Sequence, residues 1–493
     1  MKRCHGFPPA TVIFSSPILL PPEIDKMDTY TSNRTELIEA NRREYGERYA
    51  PLKFLSGPEA VAAQARRAEL LAALAEGTES GYLQTKLDCR RLSPGCRLCG
   101  EGSWSCLFIN GRCNGRCFYC PAPQTSTDQP TTNNLRFPQS ADYGDYVEKF
   151  DFRGVSISGG EPLLTLEKTL KFITAVKKRR GDAVHLWLYT NGTLVTREIL
   201  LRLRDAGLDE IRFDIGATRY HLKKAALAVG IIPHVTVEIP AIPEDLPLLK
   251  VKAAEMAERG IDYLNLHQLR LTPHNYAALA GRGYTFVHGE KVTVLESELA
   301  ALELLRHTLD RGIELPVNYC SFVYKNRFQR LAARRRHAPF VRKPTEGLTE
   351  NGYLRFLALT GNSEALRRQA ETFNGHNASR ERWQLNPAAD RLAISAALWP
   401  LIDFTGLRLQ LRYFEAALLP AVTYRNPFVE VPLSKGRKVV IERQNAGQEM
   451  TLEGEEIAAF GRLLGEPESA ATEPLRPEIV RFERITAGLG DYF

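Results

Sequence analysis

Between Ser105 and Leu269 the chain repeats one pattern. A short apolar or alternating run, bounded by turn residues, is followed by a longer stretch with helical spacing. The strand candidates are Cys106–Asn110, Gly154–Ser158, His185–Tyr189, Glu210–Ile215, Val235–Ile239 and Tyr263–Leu269. Between most of them lie the helix candidates Leu166–Arg180, Thr196–Asp205 and Leu246–Arg259, with a shorter one at Arg219–Leu227. Six such units in a row argue for a parallel sheet with helices outside. Two architectures fit about equally. One is a partial barrel related to the (β/α)8 type, with active residues at the C-terminal strand ends, and the other is an open doubly wound sheet.

The cysteines narrow the chemistry. Seven of the nine fall between positions 89 and 120 of a 493-residue chain. Disulfide frameworks belong to short secreted chains, so clustering in a long enzyme-like chain fits metal better. Cys113, Cys117 and Cys120 form Cys-x3-Cys-x2-Cys, written CNGRCFYC, just past the first strand candidate. A [4Fe–4S] cluster normally takes four cysteine ligands. Three leave one iron open, where a small molecule can bind and be activated. A zinc knuckle or plain buried thiols are the blander alternatives.

Two further motifs follow in order on successive units. Gly159-Gly160-Glu161-Pro162 directly follows the second strand candidate and opens a helix. Its glycines let the backbone approach another group closely, and its carboxylate can accept from an ammonium. Tyr189-Thr190-Asn191-Gly192 ends the third strand candidate, where Thr and Asn offer hydroxyl and amide groups. Asn-Gly is also a turn signal in its own right.

In combination, CNGRCFYC, GGEP and YTNG resemble the radical S-adenosylmethionine (radical SAM) enzymes, activating-enzyme and molybdopterin-biosynthesis-like members above all. The resemblance covers roughly residues 104–320 and implies a partial (β/α)6 barrel. It implies that Cys113, Cys117 and Cys120 hold a catalytic [4Fe–4S] cluster whose open iron chelates S-adenosylmethionine. Reductive cleavage then yields a 5'-deoxyadenosyl radical that abstracts hydrogen from an unidentified substrate. It further implies that Gly159, Gly160, Glu161 and Pro162 meet the methionine amino group, and that Thr190 and Asn191 meet its carboxylate or the ribose. Tyr119 is expected beside the adenine. Asp214 and Glu238, late on the fourth and fifth strand candidates, are cofactor or substrate contacts, or else solvated or salt-bridged carboxylates. His267, on the sixth, is more often structural in such a place.

Upstream, Cys89-x6-Cys96-x2-Cys99-x6-Cys106 could close a second iron–sulfur cluster, bind structural zinc or hold no metal. Cys106 lies in the first strand candidate and could be a core thiol, which would make Cys320 the fourth ligand. Cys4 reads as an uncoordinated thiol.

Residues 1–88 read as a helical N-terminal extension, with a helix from about Gly57 to Gly77, and 89–104 as a Cys-rich connector. The radical SAM-like core is set at 105–320, a basic linker at 321–344, and a C-terminal region at 345–493. That region is expected to be mostly helical and to contain a β-hairpin, Val429–Pro432 with Arg437–Arg443, around Ser434-Lys435-Gly436. The basic residues Lys325, Arg327, Arg330, Arg334, Arg335, Arg336, Arg342 and Lys343 read as a solvated helix face, or else as a phosphate-binding surface.

Prolines break the apolar N-terminus, no signal peptide is expected, and no run is long enough to span a membrane. The net charge of +7 is too mild to imply nucleic acid. Oxygen-labile clusters point to a reducing cytoplasm. The expected partners are a reductant such as flavodoxin or ferredoxin and a substrate, either a small molecule or a protein or peptide as for glycyl-radical activases. RNA modification is the remaining alternative.

Overall fold

In the computed structural model, which describes residues 27–124, 129–433, 436–465 and 475–493, the strands divide between two large sheets. Cys4 and the turn residues Ser434 and Lys435 lie outside the described residues. Helices α1 (Met27–Tyr45) and α2 (Gly57–Leu74) come first. Ser56 starts α2 in a capping box, its backbone N–H donating to Glu59 at 2.8 Å. The helix expected from Gly57 is therefore present. Strand β1 (Lys86–Leu87) comes just before Cys89, and helix α3 (Pro94–Gly100) carries Cys96 and Cys99.

The first sheet continues through β2 (Trp104–Phe108), the short β3 (Thr131–Thr132) and β4 (Leu135–Arg136), then helix α4 (Ser140–Lys149). Four strands then alternate with helices: β5 (Gly154–Ser158), α5 (Leu166–Arg180), β6 (His185–Thr190), α6 (Arg197–Asp205), β7 (Glu210–Phe213), α7 (Lys223–Ala228), β8 (His234–Pro240) and α8 (Leu246–Glu258). Strand β9 (Tyr263–His267), helix α9 (Tyr276–Ala280) and the small ladder of β10 (Phe286–Val287) and β11 (Thr293–Val294) come next. Helix α10 (Leu295–Asp310), β12 (Val317–Cys320) and α11 (Phe322–Val341) complete this half.

Strands β2, β5, β6, β7, β8, β9 and β12 are neighbours in that order and pair in parallel throughout. A doubly wound sheet reverses its strand order at a switch point, and this one does not. The order is thus singly wound, with right-handed crossovers leaving the connecting helices on one face. The antiparallel strand β1 forms one edge and the β3–β4 pair the other. β12 is a parallel strand for which the sequence pattern gives no signal, because VNYC is too short to show a period. β2 starts two residues earlier than its pattern suggests. There Trp104 stacks on Trp187 at 6.0 Å and donates its ring N–H to Ser156 at 2.9 Å.

The two faces of this sheet differ sharply. Leu107, Val155, Ile157, Leu186, Leu188, Ile211, Val237, Leu264 and Leu266 are buried on one face. The alternate residues share the other, as the register shows for Tyr189 opposite Arg212, Glu238 opposite Asn265, His267 opposite Cys320, and Cys320 opposite Lys86. This second face is polar and charged. Helices α3 and α11 cover it. The Ser93 hydroxyl that caps α3 accepts from Arg212 at 3.1 Å, and Lys325 of α11 meets His267 at 2.8 Å.

The C-terminal region departs from expectation. It is built on an antiparallel sheet, and α12 (Ser363–Gly375), α13 (Glu455–Gly465) and α14 (Pro477–Glu483) account for its α-helix among the described residues. The strands are β13 (Gly347–Leu348), β14 (Leu354–Gly361), β15 (Trp383–Leu385), β16 (Arg391–Ile394), β17 (Leu407–Leu419), β18 (Phe428–Pro432), β19 (Lys438–Asn445) and β20 (Met450–Leu452). Their order is β15-β16-β14-β17-β19-β18, with β13 on β14 and β20 on β17. The Leu, Arg, Ala and Glu of LRLQLRYFEAALL favour helix by propensity. Alternating burial of Leu407, Leu409, Leu411 and Tyr413 in one core with residues of α12, α13 and α14 overrides it. The expected hairpin is present as β18 and β19, antiparallel with Val431 opposite Val439.

Helix α11 holds the basic stretch, and half of it turns inward. Arg334 donates to the Asn351 carbonyl at 2.8 Å and lies over the Tyr353 ring at 4.2 Å. Arg336 lies over Phe152 at 4.2 Å, and Arg327 donates to the Thr486 carbonyl at 2.6 Å. Arg330, Arg335, Arg342 and Lys343 remain exposed. The stretch is thus neither a wholly solvated face nor a continuous phosphate surface. Among the described residues, no helix is long and apolar enough to cross a membrane.

His337 of α11 is 5% exposed and packs edge-on to Phe150. Burial and the nearby Arg336 push its pKa down to about 4, against a backbone hydrogen bond with Ala416. The folded protein holds this ring neutral, so its contribution is complete above the unfolded value of about 6.5 and is lost as pH falls from there toward 4. We predict a stability loss of up to ~3 kcal/mol over that window from this residue. In His337→Gln the urea midpoint should depend less on pH between 5 and 7 than in the parent chain.

Candidate functional site

The loop of Cys113, Cys117 and Cys120 leaves the C-terminal end of β2, and its first residues are pinned from beneath. Asn110 is 2% exposed; its side chain donates to the Glu161 carbonyl at 3.1 Å and to Thr165 at 2.8 Å, and accepts from Arg112 N–H at 2.9 Å. The glycine pair of GGEP closes on this segment. Gly160 N–H donates to the Asn110 carbonyl at 3.0 Å and Glu161 N–H to the Arg112 carbonyl at 2.7 Å. A Cβ on Gly159 would stand 2.3 Å from the Asn110 carbonyl oxygen, and one on Gly160 1.8 Å from that of Arg112. Gly159 also has φ +139°. The close approach these glycines permit in this structure is to the cysteine loop.

Glu161 is fully buried. Its carboxylate accepts from Leu163 N–H at 3.0 Å, the Thr190 hydroxyl at 2.9 Å and Asn191 N–H at 2.8 Å. Burial pushes its pKa up, and these donors pull it back. The expectation that this side chain meets the amino group of a ligand is not what the geometry offers, because both oxygens are already engaged inside the protein. Pro162 is likewise buried, and its carbonyl accepts from Thr169 at 2.9 Å.

YTNG acts on the same loop. Thr190 joins Glu161 to Gly192 N–H, at 3.0 Å from the latter. The Asn191 amide donates to Asn114 at 2.7 Å and stands 3.8 Å from the Cys113 sulfur, and its oxygen accepts from Thr193. Gly115 N–H points at the same sulfur from 3.3 Å. A Cβ on Gly115 would lie 3.5 Å from the Cys113 sulfur and 3.8 Å from that of Cys117, so both sulfurs lie within 4 Å of one point beside Gly115. Burial raises the Cys113 pKa and lifts that of Cys117 to about 11.

Tyr119 turns its hydroxyl to Asp214 at the end of β7, donating at 2.7 and 3.0 Å to the two carboxylate oxygens. A Cβ on Gly216 would stand 2.6 Å from that hydroxyl. Burial pushes the Asp214 carboxyl up to about 6 despite this bond. Asn275 fixes the Tyr119 carbonyl at 3.2 Å. Cys113, Cys117, Cys120, Tyr119, Asp214, Asn191, Thr190 and the GGEP turn therefore form one constellation at the C-terminal ends of four neighbouring strands.

Glu238 belongs elsewhere. Arg212 meets it at 2.5 Å, His267 at 2.9 Å and Asn265 at 3.1 Å. Arg212 and His267 hold its pKa well below the carboxylate range against burial. Of the two expectations for Glu238, the salt-bridged one describes the structure. The chain of contacts continues from His267 to Lys325 and from Arg212 to Glu210 at 2.8 Å. Arg212 was not singled out from the sequence, and Lys325 was named only as part of the basic stretch. Glu210, Arg212 and Asp214 alternate along one strand, which was the available signal for a charged inner face.

The donor set fits an iron–sulfur cluster. Three thiols stand on one short loop, two of their sulfurs lie within 4 Å of one point beside Gly115, and amide donors face the sulfur of Cys113. Comparison with known proteins agrees. Residues 107–226 match the radical SAM superfamily. A chain of Methanocaldococcus jannaschii, named provisionally as a glycyl-radical enzyme activating enzyme, is 32% identical over 303 residues, covering 59% of this chain and 79% of its own. The GTP 3',8-cyclase of Nautilia profundicola is 28% identical over 158 residues, 32% of this chain and 48% of its own, so the chain spans about half of that relative. SuiB of Streptococcus suis bound to S-adenosylmethionine is 14% identical, covering 59% of this chain and 61% of that one, with a TM-score of 0.31 too low to bear on the fold. The chain belongs to the radical SAM superfamily. It is an enzyme of that class, whose cofactors are a [4Fe–4S] cluster and S-adenosylmethionine.

Replacing Gly160 by Ala drives a methyl group into the Arg112 carbonyl. We predict a loss of at least about 2 kcal/mol in urea unfolding, with reduced iron incorporation after anaerobic reconstitution. Gly57→Ala, where a Cβ meets nothing within 4 Å, should leave both measurements unchanged.

Proposed function

We propose that Cys113, Cys117 and Cys120 ligate the catalytic cluster on a partial (β/α)6 barrel. The observation that carries this reading is the single short loop of three thiols, two of whose sulfurs lie within 4 Å of one point beside Gly115, at the C-terminal end of β2. A [4Fe–4S] cluster held by these three thiolates would supply the single electron for reductive cleavage of S-adenosylmethionine, the chemistry that would yield methionine and a 5'-deoxyadenosyl radical able to take a hydrogen atom from substrate. The electron comes from a one-electron reductant of the flavodoxin or ferredoxin kind.

The chain's own residues bind and orient. The GGEP backbone and Asn191 hold the loop that presents the thiolates. Asn191 and Gly115 N–H direct donors at the Cys113 sulfur, stabilising its anionic form. Asp214 and Tyr119 offer a carboxylate and a phenol to the hydroxyls of the nucleoside. Phe108, 47% exposed, is an apolar side chain at the end of β2, the strand from which the cysteine loop leaves. A protein substrate is favoured over a small molecule by one observation, the match over 79% of a relative named as an activating enzyme for a glycyl-radical enzyme.

Cys117→Ala should abolish both the visible absorption of the reconstituted cluster and dithionite-dependent formation of 5'-deoxyadenosine. Retention of both by the variant would sink the assignment.

A further inference from the structure

Four cysteines outside the catalytic loop come together on the charged face of the parallel sheet. Cys89 follows β1, Cys96 and Cys99 lie in α3, and Cys320 ends β12. The antiparallel pairing of β1 with β12 sets Lys86 directly opposite Cys320. Lys86 is 1% exposed, Cys96 6% and Cys320 8%. The Lys86 ammonium lies 5.0 Å from the centre of the Tyr324 ring, whose hydroxyl stands 3.9 Å from the Cys99 sulfur. The Cys89 thiol donates to the Lys86 carbonyl at 3.6 Å.

A cation so deeply buried needs an anionic partner. Neutral thiols supply no charge, whereas four thiolates bound to iron carry a net negative one. We propose that Cys89, Cys96, Cys99 and Cys320 ligate a second iron–sulfur cluster, seated beside Lys86 on the inner face of the sheet.

Each thiolate of such a cluster binds its own iron, so the four sulfurs stand apart around a centre. A single zinc ion needs its ligands converged at about 2.3 Å. Among the described residues, no three His, Cys, Asp or Glu side chains are gathered to hold one ion in that way. Cys106, the fourth member of the upstream series by sequence, is not in the set. It lies on β2, opposite Ser156 on β5.

Donors to the sulfurs are already placed. Asn265 gives an amide N–H to Cys96 at 3.1 Å, and Gln329 gives one to Cys99 at 3.5 Å. Hydrogen bonds of this kind tune the potential of a cluster. Asn265 also touches Glu238, and Asn318 donates to Asn265, so the second site is continuous with the Arg212–Glu238–His267–Lys325 network. The catalytic loop contributes none of these four ligands, and the proposal does not depend on its role.

The test is iron, acid-labile sulfide and Mössbauer spectra of the anaerobically reconstituted chain and of its Cys113/Cys117/Cys120→Ala variant. The expected result is about eight irons in the parent and about four, with matching sulfide, in the variant. Near-zero iron in the variant, or zinc without sulfide, overturns the proposal. In that background Lys86→Met should lower the reduction potential of the remaining cluster, because a nearby positive charge that favours the reduced form is gone. An unchanged potential would place the cluster away from Lys86. A parent chain whose reduced spectrum ignores S-adenosylmethionine would overturn the catalytic reading instead, so the two readings fail separately.

Discussion

Backbone meets backbone where Gly159 and Gly160 pass the start of the cysteine loop, and no side chain fits between them. Two hydrogen bonds, from Gly160 to Asn110 and from Glu161 to Arg112, are made possible by the missing Cβ atoms. The buried Glu161 carboxylate then ties this contact to Thr190 and Asn191 on the next strand. Three neighbouring strands are thereby clamped at one end, and the loop of Cys113, Cys117 and Cys120 projects from the clamp. An otherwise isolated loop of thiols acquires a fixed base without any ligand contact of its own.

The singly wound sheet has a second consequence. With every crossover helix on one face, the opposite face must be filled from elsewhere in the chain. Helices α3 and α11 do this, and they bring polar groups to meet polar groups. Arg212, Glu210, Glu238, His267 and Lys325 are paired in series, which is what buried charges require. The inner face is therefore already occupied by protein along much of its depth, and a substrate is left the C-terminal strand ends, where the cysteine loop and Asp214 stand.

The C-terminal half shows where composition misleads. Its Leu, Ala, Arg and Glu content suits helices, yet residues 407–419 form the central strand of an antiparallel sheet, because burial alternates with period two. The hairpin of β18 and β19 was legible, since a glycine-bearing turn between two β-rich runs is a local signal. The centre of that sheet, β14 on β16 and β17 and β17 on β19 and β20, joins segments distant in sequence, which local propensity does not report.

The sequence by itself determined the cysteine loop, the GGEP and YTNG turns and the run of alternating strands and helices, because each is written in contiguous residues with its own spacing. It also named all the upstream thiols and left Cys106 and Cys320 as rivals. Only the tertiary structure decided that β12 joins the sheet, that Lys86 faces Cys320, and that Glu238 is spent on Arg212 and His267. These depend on which residues share a face across strands far apart in the chain. Register and burial set that, and they exist only once the sheet has formed.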